Sequence, residues 1–104
     1  MNNNKLVQQV WEKAQQVDNI NPNYLRKDIA GAWIGREAYN TETPYGWRID
    51  HIEPIEMGGK DELDNLQPLH WQNDESKSYD YPKYKTIITS KDNRNIESEK
   101  EWEI

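Results

Sequence analysis

The spacing of apolar residues predicts a helix near the start of the chain. Apolar side chains recur every three or four residues between positions 4 and 17, which places them on one face of a helix. Residues 18–23 are rich in Asp, Asn and Pro, which are typical of turns, so the helix should end there. The short apolar run at 29–34 is bounded by polar residues and favours a strand.

A strand, a turn, a second strand and a helix are predicted in the middle of the chain. Residues 47–52 favour a strand, and the pair Gly58-Gly59 marks a turn. Residues 65–69 favour a short returning strand, and residues 70–78 favour a helix. Residues from Lys85 onward are mostly polar. We therefore expect 1–84 to form one domain and 85–104 to be a polar, acidic, flexible C-terminal tail.

The apolar fraction of the sequence is low, but its aromatic side chains are large. Only 34% of the 104 residues are hydrophobic, whereas five are Trp and six are Tyr. Because each such ring buries roughly 150–250 Å², we expect a core built around a few rings. Trp33, Trp47 and Trp71 are more typical of such a core than of base-stacking platforms.

The sequence lacks both cysteine and long apolar runs. The absence of cysteine excludes disulfides, thiolate zinc sites and cysteine nucleophiles. No apolar run approaches the ~20 residues that a membrane span needs, and the first residues lack the apolar stretch of a signal peptide. We expect a soluble, cytoplasmic protein without a membrane partner.

The negative charge is concentrated in one segment. The chain has 13 Lys and Arg against 19 Asp and Glu, a formal net charge of −6. Residues 50–77 contain eight of the acidic groups and two of the basic ones, so the whole excess lies there. This balance argues against a sequence-independent nucleic-acid binder. The segment is either a solvated acidic loop or a carboxylate cluster that binds divalent cations.

Both histidines of the chain lie in this acidic segment. His51 follows Asp50 directly, and a helix over residues 70–78 would align His70, Asp74 and Lys77 on one face. A strand–turn–strand–helix unit would place Asp50 and His51 opposite that face. Neighbours in a regular strand point to opposite sides, so these two can share a site only if the strand ends or bulges there.

The ordered motifs in this segment resemble the HNH endonuclease family. The resemblance rests on Asp50-His51-Ile52-Glu53-Pro54-Ile55, Gly58-Gly59, Asn65-Leu66-Gln67-Pro68-Leu69-His70-Trp71, Asn73 and Lys77. It implies a small α+β single domain with a ββα-metal (His-Me) finger at about 47–79, preceded by an N-terminal helix and a short strand. The Gly46-Trp47 lead-in is similar to bacterial and phage members.

The resemblance also implies roles for individual residues. His51 matches the general base that takes a proton from the attacking water, and Asp50 matches a metal ligand. Asn65 matches the residue that holds the backbone of the finger and orients the base. Asp74 stands where the family usually has His or Asn as the second metal ligand. This departure keeps an oxygen ligand but adds a negative charge that would repel the scissile phosphate.

Two further residues are possible metal ligands. Asn73 would be the ligand if the register of the helix differed by one residue. His70 lies where many relatives have a zinc-binding cysteine, so it is either a packing residue or an additional ligand. The implied cofactor is a divalent ion, Mg²⁺ or Mn²⁺, and no structural zinc is expected.

Phosphodiester hydrolysis requires an activated water and stabilisation of the developing charge. A histidine side chain, with its ordinary pKa near ~6.5, is suited to activating water at cellular pH. Approach of DNA would depend on a thin basic surface and would therefore be weak and salt-dependent. The residues expected to contact DNA are Arg26, Lys27, Arg36, Arg48 and Lys77.

The sequence therefore predicts a metal-dependent DNA endonuclease. So small a nuclease often needs a second copy or a partner protein to cut both strands. One alternative is an HNH-fold module that binds nucleic acid or protein without cleavage. Another is an acidic interaction protein that mimics the charge of DNA.

Overall fold

The N-terminal helix buries one apolar face. The computed structural model describes residues 3–104, and its first helix, α1, spans Asn4–Trp11. Val7, Val10 and Trp11 are buried, as the apolar spacing predicts.

The helix ends well before residue 17, where the sequence pattern extends it. Its turns stop because the backbone of Gln15 pairs with that of Lys27, with N–H to O=C distances of 2.8 and 2.9 Å. A residue that exchanges both backbone hydrogen bonds with a distant partner cannot also continue a helix. The pairing ties the end of this segment to the first strand.

Two short strands form the first antiparallel sheet. The first, β1, spans Leu25–Lys27 and the second, β2, spans Trp33–Gly35. The strand expected at 29–34 therefore begins later than predicted. The preceding residues form a turn instead, because the Asp28 carboxylate accepts hydrogen bonds from two backbone N–H groups of that turn, at 3.0 and 2.9 Å.

The next three elements follow the predicted order of strand, strand and helix. Strand β3 spans Trp47–His51, β4 spans Leu66–His70 and helix α2 spans Trp71–Lys77. The two strands are antiparallel, with Asp50 opposite Gln67. Because α2 begins where β4 ends, the helix packs close to β3 and positions the candidate site.

The C-terminal segment is a β hairpin, so the expectation of an unstructured tail is wrong. Strand β5 spans Lys83–Lys91 and pairs with β6, Arg94–Glu103. Tyr84, Thr86 and Ile88 alternate toward the interior and are buried. The sequence analysis missed this alternation because one of its members is Thr, and because the burial depends on contact with α2.

The core is built around large rings, as the composition predicts. Trp11 and Trp47 are fully buried and their ring centroids are 5.5 Å apart. Tyr39 packs on Trp47 at 4.9 Å. Trp33 is also buried, but Trp71 is only half-buried and its Nε1 donates to a backbone carbonyl at 2.8 Å. Within residues 3–104, no helix is long and apolar enough to cross a membrane.

Candidate active site

A cleft of about 500 Å³ lies between the end of β3, the loop that follows it, and α2. Its polar lining includes Asp50, His51 and Asp74, and its apolar lining includes Ile55 and Tyr79. His51 is the last residue of β3, so the strand ends where the sequence analysis required. The fold therefore brings three predicted site residues to one cleft.

The carboxyl groups of Asp50 and Asp74 are close enough for each to affect the pKa of the other. Burial, the charge of Asp50 and hydrogen bonding between the two carboxyls together raise the pKa of Asp74 to about 6. Burial also raises the pKa of Asp50, whereas Gln67 stabilises its carboxylate by donating a hydrogen bond of 3.0 Å. The two carboxyls therefore share a proton in mildly acidic solution.

Lys77 is an internal cation beside this carboxyl pair. Its side chain is 0% exposed, and Nζ lies 3.4 Å from Oδ2 of Asp50. Nζ also donates a hydrogen bond to the backbone carbonyl of His51 at 3.0 Å. The expectation that Lys77 contacts DNA is therefore wrong, because its ammonium group is enclosed by protein.

The imidazole of His51 has a partner that the sequence analysis missed. Its Nε2 lies 2.9 Å from Oδ1 of Asp61, and the His51 side chain is 33% exposed. Asp61 lies in the loop between β3 and β4, two residues after the Gly58-Gly59 pair. That glycine pair was the one available signal, because a turn there folds the loop back toward the end of β3. Because Nε2 is hydrogen-bonded to Asp61, Nδ1 is the ring nitrogen available for proton transfer.

Asn65 ties together the two ends of that loop. Its Oδ1 accepts a hydrogen bond from the Glu53 N–H at 2.9 Å, and its Nδ2 donates to the carbonyls of Glu53 and Lys60 at 3.0 and 2.8 Å. A Cβ on Gly59 would lie 1.9 Å from the Glu53 carbonyl oxygen, so only glycine fits there. The side chain of Asn65 thus holds the loop that carries Asp61.

His70 was expected to be either a packing residue or an additional metal ligand, and its contacts are those of a packing residue. It is 1% exposed and precedes the first residue of α2. Its Nδ1 accepts a hydrogen bond from the Gln72 N–H at 3.1 Å, and its Nε2 lies 2.9 Å from the Pro44 carbonyl. Burial lowers the pKa of His70 and keeps it neutral. Both ring nitrogens are occupied, so His70 caps the helix rather than binding a metal.

Asn73 is likewise excluded as a metal ligand by its hydrogen bonds. Its Nδ2 donates to Asp28 and to the Ile88 carbonyl, at 3.0 and 2.9 Å. Its Oδ1 accepts from the N–H groups of Ile87 and Ile88 at 2.9 and 2.8 Å. The alternative helix register is therefore wrong, and Asn73 instead fastens α2 to β5.

Asp28 is a structural centre that the sequence analysis did not identify. Besides its own turn, its carboxylate accepts hydrogen bonds from the His70 N–H and from Asn73, both at 3.0 Å. It is 1% exposed, and burial raises its pKa. Asp28 therefore joins the β1–β2 turn to the start of α2, the helix that carries Asp74. No local pattern signals this, since its partners lie more than forty residues away.

The remaining basic residues predicted to contact DNA do not form one surface. Arg26 is 7% exposed, and its guanidinium donates to backbone carbonyls. Lys27 lies over the ring of Trp33 at 4.7 Å, and Arg36 donates to a glutamine at 2.8 Å. Arg48 alone among them lies near the carboxyl pair, and it forms ion pairs with three carboxylates, those of Glu42, Asp74 and Glu75.

The carboxyl pair is chemically suited to a hard divalent cation. Among residues 3–104, no three His, Cys, Asp or Glu side chains gather into one metal-binding group. Mg²⁺ is commonly held by only one or two protein carboxylates, with water and substrate phosphate as the other ligands. Asp50 and Asp74 meet that requirement, and their mutual repulsion in the ionised state is what a bound cation would relieve.

Residues 36–77 match the family model described as HNH endonuclease. The matched segment contains β3, β4, α2 and the loop that carries Asp61. This domain match supports the resemblance to the HNH endonuclease family that was drawn from the motifs. An HNH domain indicates a nuclease-type function. No curated protein and no solved structure matches the chain significantly.

Proposed function

We propose that this chain is a metal-dependent endonuclease that hydrolyses phosphodiester bonds in DNA. The observation that supports this most directly is the meeting of two carboxyls, Asp50 and Asp74, with the imidazole of His51 at one cleft. These groups provide a cation site and a proton acceptor, which phosphodiester hydrolysis requires.

In this proposal Asp50 and Asp74 hold one divalent ion, Mg²⁺ or Mn²⁺. When bound, the ion stabilises the negative charge that develops on the phosphate and on the departing oxygen. The carboxyl pair must release its proton before both carboxylates can bind the ion. Lys77 remains beside Asp50 and favours its ionised form.

His51 accepts a proton from the attacking water at Nδ1. Asp61 holds the ring through Nε2 and stabilises the imidazolium that forms. Asn65 keeps the intervening loop in place. Arg48, whose guanidinium is 3.7 Å from Asp74, is a partly exposed basic side chain beside the carboxyl pair that could contact the phosphate.

Cleavage of supercoiled plasmid in Mg²⁺ or Mn²⁺ tests the proposal. We expect nicked or linear product with the unaltered chain, and none with His51→Ala or in excess chelator. Tyr24→Ala is a matched control, because Tyr24 is 68% exposed and lies outside the residues that line the cleft. Undiminished cleavage by His51→Ala would overturn the assignment of the base.

A second candidate is an HNH-fold module that binds nucleic acid or a protein without cleaving. The buried ammonium of Lys77 favours it, because this internal cation already neutralises part of the charge of the carboxyl pair. Calorimetric titration separates the two candidates. The nuclease should bind one divalent ion per chain and gain thermal stability with ion excess, whereas a non-cleaving module that relies on Lys77 should show neither effect.

A further inference from the structure

Tyr79 is an exposed aromatic ring at the wall of the candidate active site. Its side chain is 66% exposed and lines the same cleft as Asp74. Among the described residues, no hydrogen bond, ion pair or ring contact holds this side chain. Tyr79 therefore contributes little to the packed core. Single exposed rings are common at protein surfaces, so the exposure of Tyr79 is informative only because this ring lines the cleft.

The backbone nevertheless fixes the position of Tyr79. Ser78 has φ 51° and ψ −126°, and the Asp80 N–H donates to the Lys77 carbonyl at 2.9 Å. These are the features of a type II′ turn with Ser78 at its second position, where glycine is favoured. The chain thus accepts an unfavourable φ at Ser78 in order to end α2 and turn Tyr79 toward the cleft.

The charge of the cleft determines what form of nucleic acid it can accept. Of the described residues that line it, four are acidic (Asp50, Glu56, Asp74 and Glu75) and none is Lys or Arg. Duplex DNA carries one negative charge per roughly 1.7 Å of its axis and binds chiefly through basic side chains. A rigid duplex would bring many phosphates against this acidic rim, where the neighbouring Arg48 is already paired with carboxylates.

A single strand can avoid most of that repulsion. It can direct one phosphate to the cation site and place an unstacked base against apolar side chains. The cleft offers such side chains in Ile49, Pro54, Ile55 and Tyr79. Its volume of about 500 Å³ lies within the roughly 300–1,000 Å³ typical of sites for small molecules. Stacking of a base on an aromatic ring is favourable for every base and requires no positive charge.

We propose that the ring of Tyr79 stacks on the base next to the scissile phosphate. This inference rests on the proposed nuclease function. The preferred substrate is then a single-stranded or locally unpaired segment of DNA rather than a continuous duplex. Tyr79 acts by direct contact with the substrate and determines its structural class, and the stacking does not select a base sequence.

The binding experiment uses two labelled 20-mers with equal numbers of phosphates, one ordinary single strand and one in which every nucleotide is abasic. Fluorescence anisotropy in Mg²⁺ is measured in a His51→Ala background, which prevents cleavage. We expect the ordinary strand to bind about tenfold more tightly than the abasic one. Adding Tyr79→Ala should remove this difference. Tyr79→Phe should keep it because the ring is retained, and Tyr24→Ala should also keep it.

The cleavage experiment compares the ordinary strand with a hairpin duplex of the same sequence. We expect faster cleavage of the single strand, and an increase of about tenfold in KM for it in Tyr79→Ala with little change in kcat. Equal binding of the ordinary and abasic strands, or an equal effect of Tyr79→Ala on both cleavage substrates, would refute the proposal. If no substrate is cut at all, the nuclease function fails, while the anisotropy measurement still decides whether Tyr79 stacks on bases.

Discussion

The ammonium group of Lys77 lies 3.4 Å from the carboxylate of Asp50, and the lysine side chain is completely buried. A buried lysine this close to a buried carboxylate is an internal counter-charge and does not provide a surface contact. The same ammonium donates to the backbone carbonyl of His51. Lys77 thus contacts both residues that the HNH motif places at the end of β3.

Removal of the Lys77 charge should strongly destabilise the protein. Lys77→Met keeps a long, unbranched side chain but leaves Asp50 without its cation and the His51 carbonyl without its donor. We expect the free energy of unfolding to fall by about 3 kcal/mol at pH 7 without divalent ions, as measured by urea denaturation. Lys85→Met, which removes an exposed ion pair with Glu99, should cost less than about 1 kcal/mol. Equal losses in the two variants would contradict the role given to Lys77.

The raised pKa of Asp74 predicts how stability depends on pH. The pKa of this group is 3.8 in its ordinary state and about 6 in the folded chain. Its contribution to stability is therefore complete below pH 3.8 and is lost as pH rises through 6. Without divalent ions, we expect the unaltered chain to lose about 2 kcal/mol relative to Asp74→Asn between pH 4 and pH 7. A constant difference between the two chains over that range would exclude the shared proton.

The same proton should compete with a divalent ion. Because both carboxylates must be ionised to bind it, Mg²⁺ affinity should rise by up to about tenfold per pH unit below pH 6 and level off above it. Isothermal titration calorimetry at several pH values measures this, and proton release on binding provides an independent check. An affinity that is independent of pH from 5 to 7 would place the ion elsewhere.

Asp74→Asn should retain or increase cleavage activity. The amide keeps an oxygen ligand of the kind usual in the family and removes one negative charge that repels the phosphate. Plasmid cleavage at saturating Mg²⁺ measures the effect, and Glu75→Gln serves as a control for charge alone at the neighbouring exposed position. Complete loss of activity in Asp74→Asn alone would mean that the carboxylate itself is required.

Asp61→Asn should slow the chemical step without weakening substrate binding. The substitution removes the carboxylate that lies 2.9 Å from the His51 ring while nearly preserving side-chain shape. We expect kcat to fall by about tenfold with KM unchanged, because Asp61 acts through His51. Asp64→Asn is the matched control, an exposed carboxylate of the same loop. The role given to Asp61 is incorrect if both variants keep full kcat.

Local pattern was sufficient to predict the middle of the chain. The bounds of β3, β4 and α2 agree with expectation to within one or two residues. Each of these elements follows from short-range apolar spacing and from turn residues such as Gly58, which has φ 101°. Asp50, His51 and Asp74 line one cleft because a hairpin followed by a helix leaves little freedom in how its ends meet, and their roles there stay predictions.

Contacts between distant segments account for the errors. The end of α1 is not visible locally because it depends on the pairing of Gln15 with Lys27. The C-terminal hairpin pairs locally, but its place in the fold depends on the contact of β5 with Asn73 of α2. The same is true of Asn73, which was a possible ligand by its position and is a structural residue by its four hydrogen bonds. A side chain that can bind a metal or a backbone group equally well takes its role from what surrounds it.

The sequence by itself determined the resemblance to the HNH endonuclease family and the order of the elements that carry its motif. Residue types, motif spacing and short-range periodicity are properties of neighbouring positions, so they can be recognised without knowledge of the fold. Tertiary structure alone decided which charges are internal. It buried the ammonium of Lys77 beside Asp50, placed Asp61 on the imidazole, and left Tyr79 uncovered. Burial decides these roles because the free energy of a charge or a ring depends on whether water or protein surrounds it.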